Sequence, residues 1–106
     1  MKIDKKGNKI WFNEKGQLHR DNEPAVEWVN GNKVWYKDGK LHREDGPAYE
    51  GINEYKEWWI EGKKHRENSP AVEYANGDKH WYYKGKKINC ISTEEFIKII
   101  KLKAFW

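Results

Sequence analysis

The feature that most constrains this chain is an internal repeat of 23 residues. His-Arg pairs recur with that spacing, and Gly, Pro-Ala, Glu and Trp recur with the same spacing. Because several residue types share one period, we interpret the chain as about three and a half copies of one structural unit. The first three copies contain His19-Arg20, His42-Arg43 and His65-Arg66, and the fourth has Ile88-Asn89 in that position.

Each copy is predicted to form two strands joined by a tight turn, with a second reversal after them. In the second copy, residues 25–28 and 33–36 have strand-like composition and flank Asn30-Gly31. Asn-Gly is the strongest short signal for a two-residue type I′ turn. The second reversal is predicted at Asp38-Gly39, and the third copy, with Asn53-Glu54, is predicted to have a poorer first turn.

Stacked copies of this unit predict a mainly β protein, an antiparallel meander that forms a long, twisted, single-layer sheet. If each turn contains two residues, Val26 lies opposite Trp35, and Arg43 shares a face with Glu27. The arginines are then expected to form a ladder of ion pairs with glutamates of this face. Pairs of this kind are individually weak when they are exposed.

The last part of the chain has a different pattern. Ser92 and Glu95 have the spacing of a capping box, and the apolar residues after them are separated by lysines. We therefore predict an amphipathic helix that ends near residues 104–106 and covers the last copy. A contact with a partner or a membrane surface is the alternative role for this helix. The chain is predicted to be one domain, with the repeat sheet over residues 1–91 and the helix over 92–106.

Composition restricts the class of protein further. The chain has 36% charged residues and a net charge of +4, yet it also has seven Trp, which argues against disorder. The single Cys90 excludes an internal disulfide and fits a reducing compartment. No apolar run approaches the ~20 residues of a membrane span, and the N-terminal residues lack a signal-peptide core. We therefore expect a cytoplasmic protein without a membrane partner.

The period and the residues that keep it resemble a known repeat family. The segment over residues 39–48 resembles the His-Arg-x-Asp-Gly-Pro-Ala variant of the MORN repeat, and the likeness extends over about residues 7–89. MORN repeats proper have Gly after the His, where this chain has Arg. The variant is similar to repeats in small proteins of bacteriophages and large DNA viruses. The resemblance implies a scaffold for interactions, without a substrate, and suggests a phage counter-defence factor.

Two sets of residues are candidates for binding. The third copy differs most from the others and has the most apolar strand, so its exposed aromatic side chains are predicted to contact a partner. The alternative is an anion or nucleotide site in which arginines bind phosphate and a ring stacks on a base. The first set is Tyr55, Trp58, Trp59, Lys63 and Lys64; the second is Arg20, Arg43, Arg66 and Trp35.

No catalytic or metal site is predicted. Successive His-Arg pairs lie at least two strands, or about 9–10 Å, apart, so His19, His42 and His65 cannot share one Zn²⁺. Cys90 has no His near it in the sequence, and no Gly-rich phosphate loop is present. We therefore expect a non-catalytic binding protein without a cofactor. Its expected partner is a host immune complex such as a CRISPR effector, with a nucleotide or RNA as the alternative; an open sheet edge also allows a homodimer.

Overall fold

A computed structural model describes residues 1–102 of the chain. The described residues form 13 strands in antiparallel meander sheets and one helix at the C-terminal end, which confirms the predicted fold class. The strands are β1 (Lys2–Ile3), β2 (Lys9–Ile10), β3 (Val26–Glu27), β4 (Lys33–Val34), β5 (Tyr36–Lys37), β6 (Lys40–Leu41), β7 (Tyr49–Glu50), β8 (Lys56–Glu57), β9 (Trp59–Ile60), β10 (Lys63–Lys64), β11 (Val72–Glu73), β12 (Lys79–Tyr83) and β13 (Lys86–Ile88), and the helix is α1 (Thr93–Leu102).

The copies stack along two parallel rows. One row is a nine-stranded sheet with the order β1-β2-β3-β4-β7-β8-β11-β12-β13, and the hairpins β5–β6 and β9–β10 lie beside it. These hairpins also stack on their neighbours, because the N–H of Gly62 donates to the carbonyl of Leu41 at 2.8 Å and the N–H of Gly85 donates to that of Lys64 at 2.8 Å. Each copy therefore contacts the next in both rows.

The first turn of each copy differs from the prediction. Gly31 has a φ of 101°, its N–H donates to the carbonyl of Trp28 at 2.9 Å, and the N–H of Trp28 donates to Asn32 at 2.9 Å. This is a three-residue loop in which a type I turn is followed by one glycine in the left-handed region. Val26 therefore pairs with Val34, and the predicted pairing of Val26 with Trp35 is wrong.

The second turn is the two-residue type I′ turn. Asp38 and Gly39 have φ values of 48° and 82°, and Tyr36 pairs with Leu41 across the turn. Trp35 lies opposite His42 in this hairpin, because the N–H of His42 donates to the carbonyl of Trp35 at 3.2 Å. The second, third and fourth copies thus have both hairpin types, with two residues in the second turn. In the first copy the second turn is also a three-residue loop, because the N–H of Asn13 donates to the carbonyl of Gln17 at 2.9 Å and only Gly16 has a positive φ there.

The helix covers the last copy. Phe96 is fully buried against Trp81 and Ile88, and the indole N–H of Trp81 donates to Thr93 Oγ1 at 3.0 Å. The N–H of Glu95 donates to Ser92 Oγ at 3.1 Å, which confirms the predicted N-cap. The predicted end of the helix near residues 104–106 lies outside the described residues.

No helix within residues 1–102 is both long and apolar enough to cross a membrane.

Candidate functional site

The arginine of each His-Arg pair is held inside the scaffold. The Arg43 guanidinium lies 3.8 Å from the centre of the Trp35 ring. Its Nη1 donates to the Pro47 carbonyl at 3.1 Å and to Glu50 at 3.2 Å. The same set recurs for Arg20 with Trp11, Pro24 and Glu27, and for Arg66 with Trp58, Pro70 and Glu73.

The predicted Arg–Glu ladder is present, but its pairing is different. Each arginine binds the glutamate seven residues ahead, so Arg43 pairs with Glu50 and the predicted pair with Glu27 is wrong. The reason is the path of the Pro-Ala loop, which returns beside the arginine and places its carbonyl and the following glutamate at the same guanidinium. Each arginine thereby links the tryptophan of one copy to the first strand of the next.

These contacts occupy the groups of the predicted anion site. The Arg20, Arg43 and Arg66 side chains are 22%, 21% and 30% exposed, and each already has a carboxylate and a ring as neighbours. Trp35 is buried beneath Arg43. A role of these residues in nucleotide binding stays a prediction, while the geometry gives them an architectural role.

The histidines also connect neighbouring copies. Nδ1 of His42 accepts the backbone N–H of Glu61, in the type I′ turn of the next copy, at 3.0 Å. Nδ1 of His65 accepts the equivalent N–H of Lys84 at 2.8 Å. Since Nδ1 is the acceptor, the hydrogen of the neutral ring lies on Nε2. These bonds fix where the second turn of the next copy lies.

The third copy contains a chain of polar contacts between aromatic side chains. Glu57 accepts the indole N–H of Trp59 at 2.8 Å and also lies in hydrogen-bond contact with the hydroxyl of Tyr55. Tyr55 packs edge-on against Tyr49 and at a tilt against Tyr74. Burial, followed by the carboxylate of Glu57, raises the pKa of Tyr55 far above its ordinary value, so its hydroxyl remains a donor. Glu57 thus fixes the orientation of the Trp59 indole.

A basic and aromatic depression lies between the third and fourth copies. The Lys64 ammonium lies 5.5 Å from the centre of the Trp59 ring and 5.0 Å from that of Tyr82. Both distances are within reach of a cation–π interaction. The depression is open to solvent and has a volume of about 460 Å³. We call it the Lys-aromatic hollow; it is lined by Trp59, Gly62, Lys63, Lys64, Tyr82, Lys84, Gly85 and Lys86.

The structure divides the predicted partner-binding residues into three places. Trp59, Lys63 and Lys64 meet in the Lys-aromatic hollow. Trp58 lies under Arg66, with 3.8 Å between the guanidinium carbon and the ring centre. Tyr55 lies apart from both and packs against Tyr49 and Tyr74.

Sequence reasoning missed the residues that the fourth copy contributes to the hollow, including Tyr82, Lys84 and Lys86. The signal that could have found them is the 23-residue offset, since Lys84 stands where the second and third copies have Asp38 and Glu61.

Cys90 lies at the junction of the sheet and the helix. A second depression, of about 510 Å³, is lined there by Trp81, Ile88, Cys90 and Glu95, among others. Burial, and then the carboxylate of Glu95, raises the pKa of the Cys90 thiol above its ordinary value. A thiol of this kind is a weak nucleophile at neutral pH. Among residues 1–102, no group of three or more His, Cys, Asp or Glu side chains is arranged to hold a metal ion.

Comparison with known proteins gives no relative for this fold. No protein-family model matches the chain, and neither a curated protein nor a solved structure matches it. The resemblance to MORN repeats therefore stays a prediction.

Proposed function

We propose that this protein is a non-catalytic binding protein that acts through the surface of its third and fourth copies. The observation that carries the proposal is that the repeated side chains and the variable side chains lie in different places. Those repeated in every copy (the His-Arg pairs, their Trp and their Glu) bind one another and hold the copies together. Those that differ between copies include Trp59, Lys64 and Lys84, which line an open hollow.

The resemblance to repeats of small phage proteins extends the proposal to the kind of partner. We propose that the chain is a counter-defence factor, and that its partner is a host immune complex in the cytoplasm. A protein that works by contact needs no catalytic group, and the groups of the hollow are aromatic rings and ammonium ions rather than a nucleophile with its base. Aromatic side chains at an accessible surface are typical of the central residues of interfaces.

The experiment uses a matched pair of variants. Trp59→Ala changes the hollow, and Tyr36→Ala changes the equivalent residue 23 positions earlier, which lies outside it. The tagged chain is expressed in host cells that carry a defence system, and plaque formation is measured together with the proteins that co-purify.

We expect the wild type and Tyr36→Ala to restore plaque formation and to retain the same partner. Trp59→Ala should lose both while it keeps the thermal unfolding midpoint of the control. Equal behaviour of the two variants would place the contact surface elsewhere. Turnover of a host component by the purified chain would overturn the non-catalytic assignment.

A further inference from the structure

The charge of the Lys-aromatic hollow comes from differences between copies. The hollow has four lysines, Lys63, Lys64, Lys84 and Lys86. The equivalent positions one copy earlier are Lys40, Leu41, Glu61 and Lys63. The formal charge of this set therefore rises from +1, for two lysines and one glutamate, to +4.

The arginines of the scaffold are neutralised, but three lysines of the hollow are not. Each His-Arg arginine has a glutamate within 3.2 Å. Within residues 1–102, Lys63, Lys64 and Lys84 form no ion pair with a carboxylate. The carboxylate of Glu57 already accepts the indole N–H of Trp59. Unpaired cations next to one another repel, so an anion in the hollow would relieve that repulsion.

The groups of the hollow are also held in place before any ligand binds. The turn that carries Lys84 is fixed to the third copy, because its N–H donates to His65. The side chain of Lys63 lies against Gly85, where an added Cβ would be 3.5 Å from it. Trp59 is oriented by Glu57. Groups that are already ordered lose less conformational entropy on binding.

We infer that the Lys-aromatic hollow binds a nucleobase that carries phosphate, with the phosphate on Lys63, Lys64 and Lys84 and the base on Trp59 or Tyr82. The inference rests on the proposed binding function and names the chemistry of the ligand. Aromatic rings stack on bases of any sequence, and ammonium groups bind phosphate as point charges. An acidic protein segment would bind the lysines but, unlike a nucleotide, would bring no base to stack on Trp59 or Tyr82.

This chemistry has two sources, a single strand of RNA and a free nucleotide. A partner complex that contains RNA would supply the single strand. The test measures fluorescence anisotropy of a labelled oligouridylate of about ten nucleotides, a length within the range of single-strand sites. Unlabelled mononucleotides and an oligoglutamate peptide serve as competitors.

We expect the wild type to bind the oligonucleotide with an affinity that falls as salt rises. Lys64→Gln and Lys84→Gln should each lower the slope of log affinity against log salt by about 0.7, the value for one phosphate contact of a single strand. Trp59→Leu should weaken binding about tenfold through the lost stacking. The matched controls Lys40→Gln and Tyr36→Leu should leave both quantities unchanged.

The competitors separate the sources. If mononucleotides displace the labelled probe at a concentration close to that of the protein, the ligand is a free nucleotide. If only the unlabelled oligonucleotide displaces it, the ligand is a single strand.

Equal competition by oligoglutamate, or no binding of any probe by the wild type, would overturn the inference. If the host partner is still captured and Trp59→Ala still abolishes capture, the ligand class is wrong and the proposed function stands. If Trp59→Ala captures the partner as well as Tyr36→Ala does, the proposed function fails too.

Discussion

The arginine is the residue that makes one copy depend on the next. Arg43 stacks on Trp35, donates to the Pro47 carbonyl and pairs with Glu50, so one side chain contacts three segments of the chain. A planar guanidinium can lie face-on against a ring while its in-plane N–H groups donate to two acceptors, whereas the ammonium of lysine has three donors but no planar face. The repetition of Arg in the first three copies follows from this geometry.

Arg43→Lys should therefore lower the free energy of unfolding, although it keeps the charge. We expect a loss of about 1–2 kcal/mol, from the stacking and one hydrogen bond to a backbone carbonyl. Chemical denaturation followed by tryptophan fluorescence measures it. Lys15→Ala, at an exposed turn, is the control and should stay within about 0.5 kcal/mol of the wild type. A loss no larger than that of the control would show that Arg43 contributes through its charge alone.

Cys90 provides a second test at the scale of one residue. Burial and the nearby Glu95 raise the pKa of its thiol, so a smaller fraction is thiolate at pH 8 than in an unfolded chain. The rate of alkylation should be lower in the folded protein than in urea, and the pH at which the rate reaches half its maximum should be higher.

Glu95→Gln removes the carboxylate and should move that pH part of the way back. Alkylation of the folded protein as fast as in urea would contradict the buried environment of the thiol.

At the scale of elements, the first turns differ in how well their residues fit the backbone. The third position of this loop needs a positive φ, and it is Gly in the second and fourth copies, Gly31 and Gly77. The third copy has Glu54 there, with a φ of 62°. A residue with a side chain costs the folded state about 1–2 kcal/mol in this conformation. Glycine avoids that cost, but it also makes the unfolded chain more flexible, which offsets part of the gain in stability.

Glu54→Gly is therefore expected to stabilise the protein by about 0.5–1 kcal/mol. Gly77→Ala is the reverse change and should destabilise it by about 0.5–1 kcal/mol, since the same two effects apply with opposite sign. Apart from its two chain neighbours, no residue within 1–102 has an atom within 4 Å of the added Cβ at Gly77, so the effect reports the backbone alone. Thermal unfolding midpoints measure both. Shifts of the same sign in the two variants would show that the positive φ does not control the stability of this turn.

The same turns show why part of the fold could not be read from the sequence. Asn-Gly fits a two-residue type I′ turn, and it also fits the end of a three-residue loop. Strands as short as Val26–Glu27 and Lys33–Val34 provide too little alternation to decide between the two. The helix was predictable, because the spacing of Ser92 and Glu95 is a local signal of its start.

The candidate site could also be predicted only in part from the sequence. Trp59, Lys63 and Lys64 were found because the third copy differs from the others. Their neighbours Tyr82 and Lys84 belong to the next copy, and only the hydrogen bonds between hairpins bring them beside the first three. The glutamate that each arginine binds depends on the path of the Pro-Ala loop, which no local pattern specifies.

At the scale of the whole molecule, the stability of a repeat protein is a sum over its copies and the contacts between neighbours. The fourth copy has Asn89 where the others have arginine, so Trp81 has no guanidinium from its own copy to stack on it. Phe96 of the helix covers this end and is fully buried with Trp81 and Ile88. The helix therefore covers the tryptophan of the last copy, as the arginine covers the tryptophan of each earlier copy.

Phe96→Ala should destabilise the protein by about 3–5 kcal/mol, the usual cost of removing a buried phenylalanine. Because copies contact only their neighbours, the loss should appear first at the end that the helix covers. We expect hydrogen exchange to accelerate most at β12, β13 and α1, and least at β3 and β4. Ile91→Ala, at a side chain that is 89% exposed, is the control and should change neither pattern nor stability. Acceleration that is uniform along the chain would mean that the copies unfold as one unit and that the helix is not a local cap.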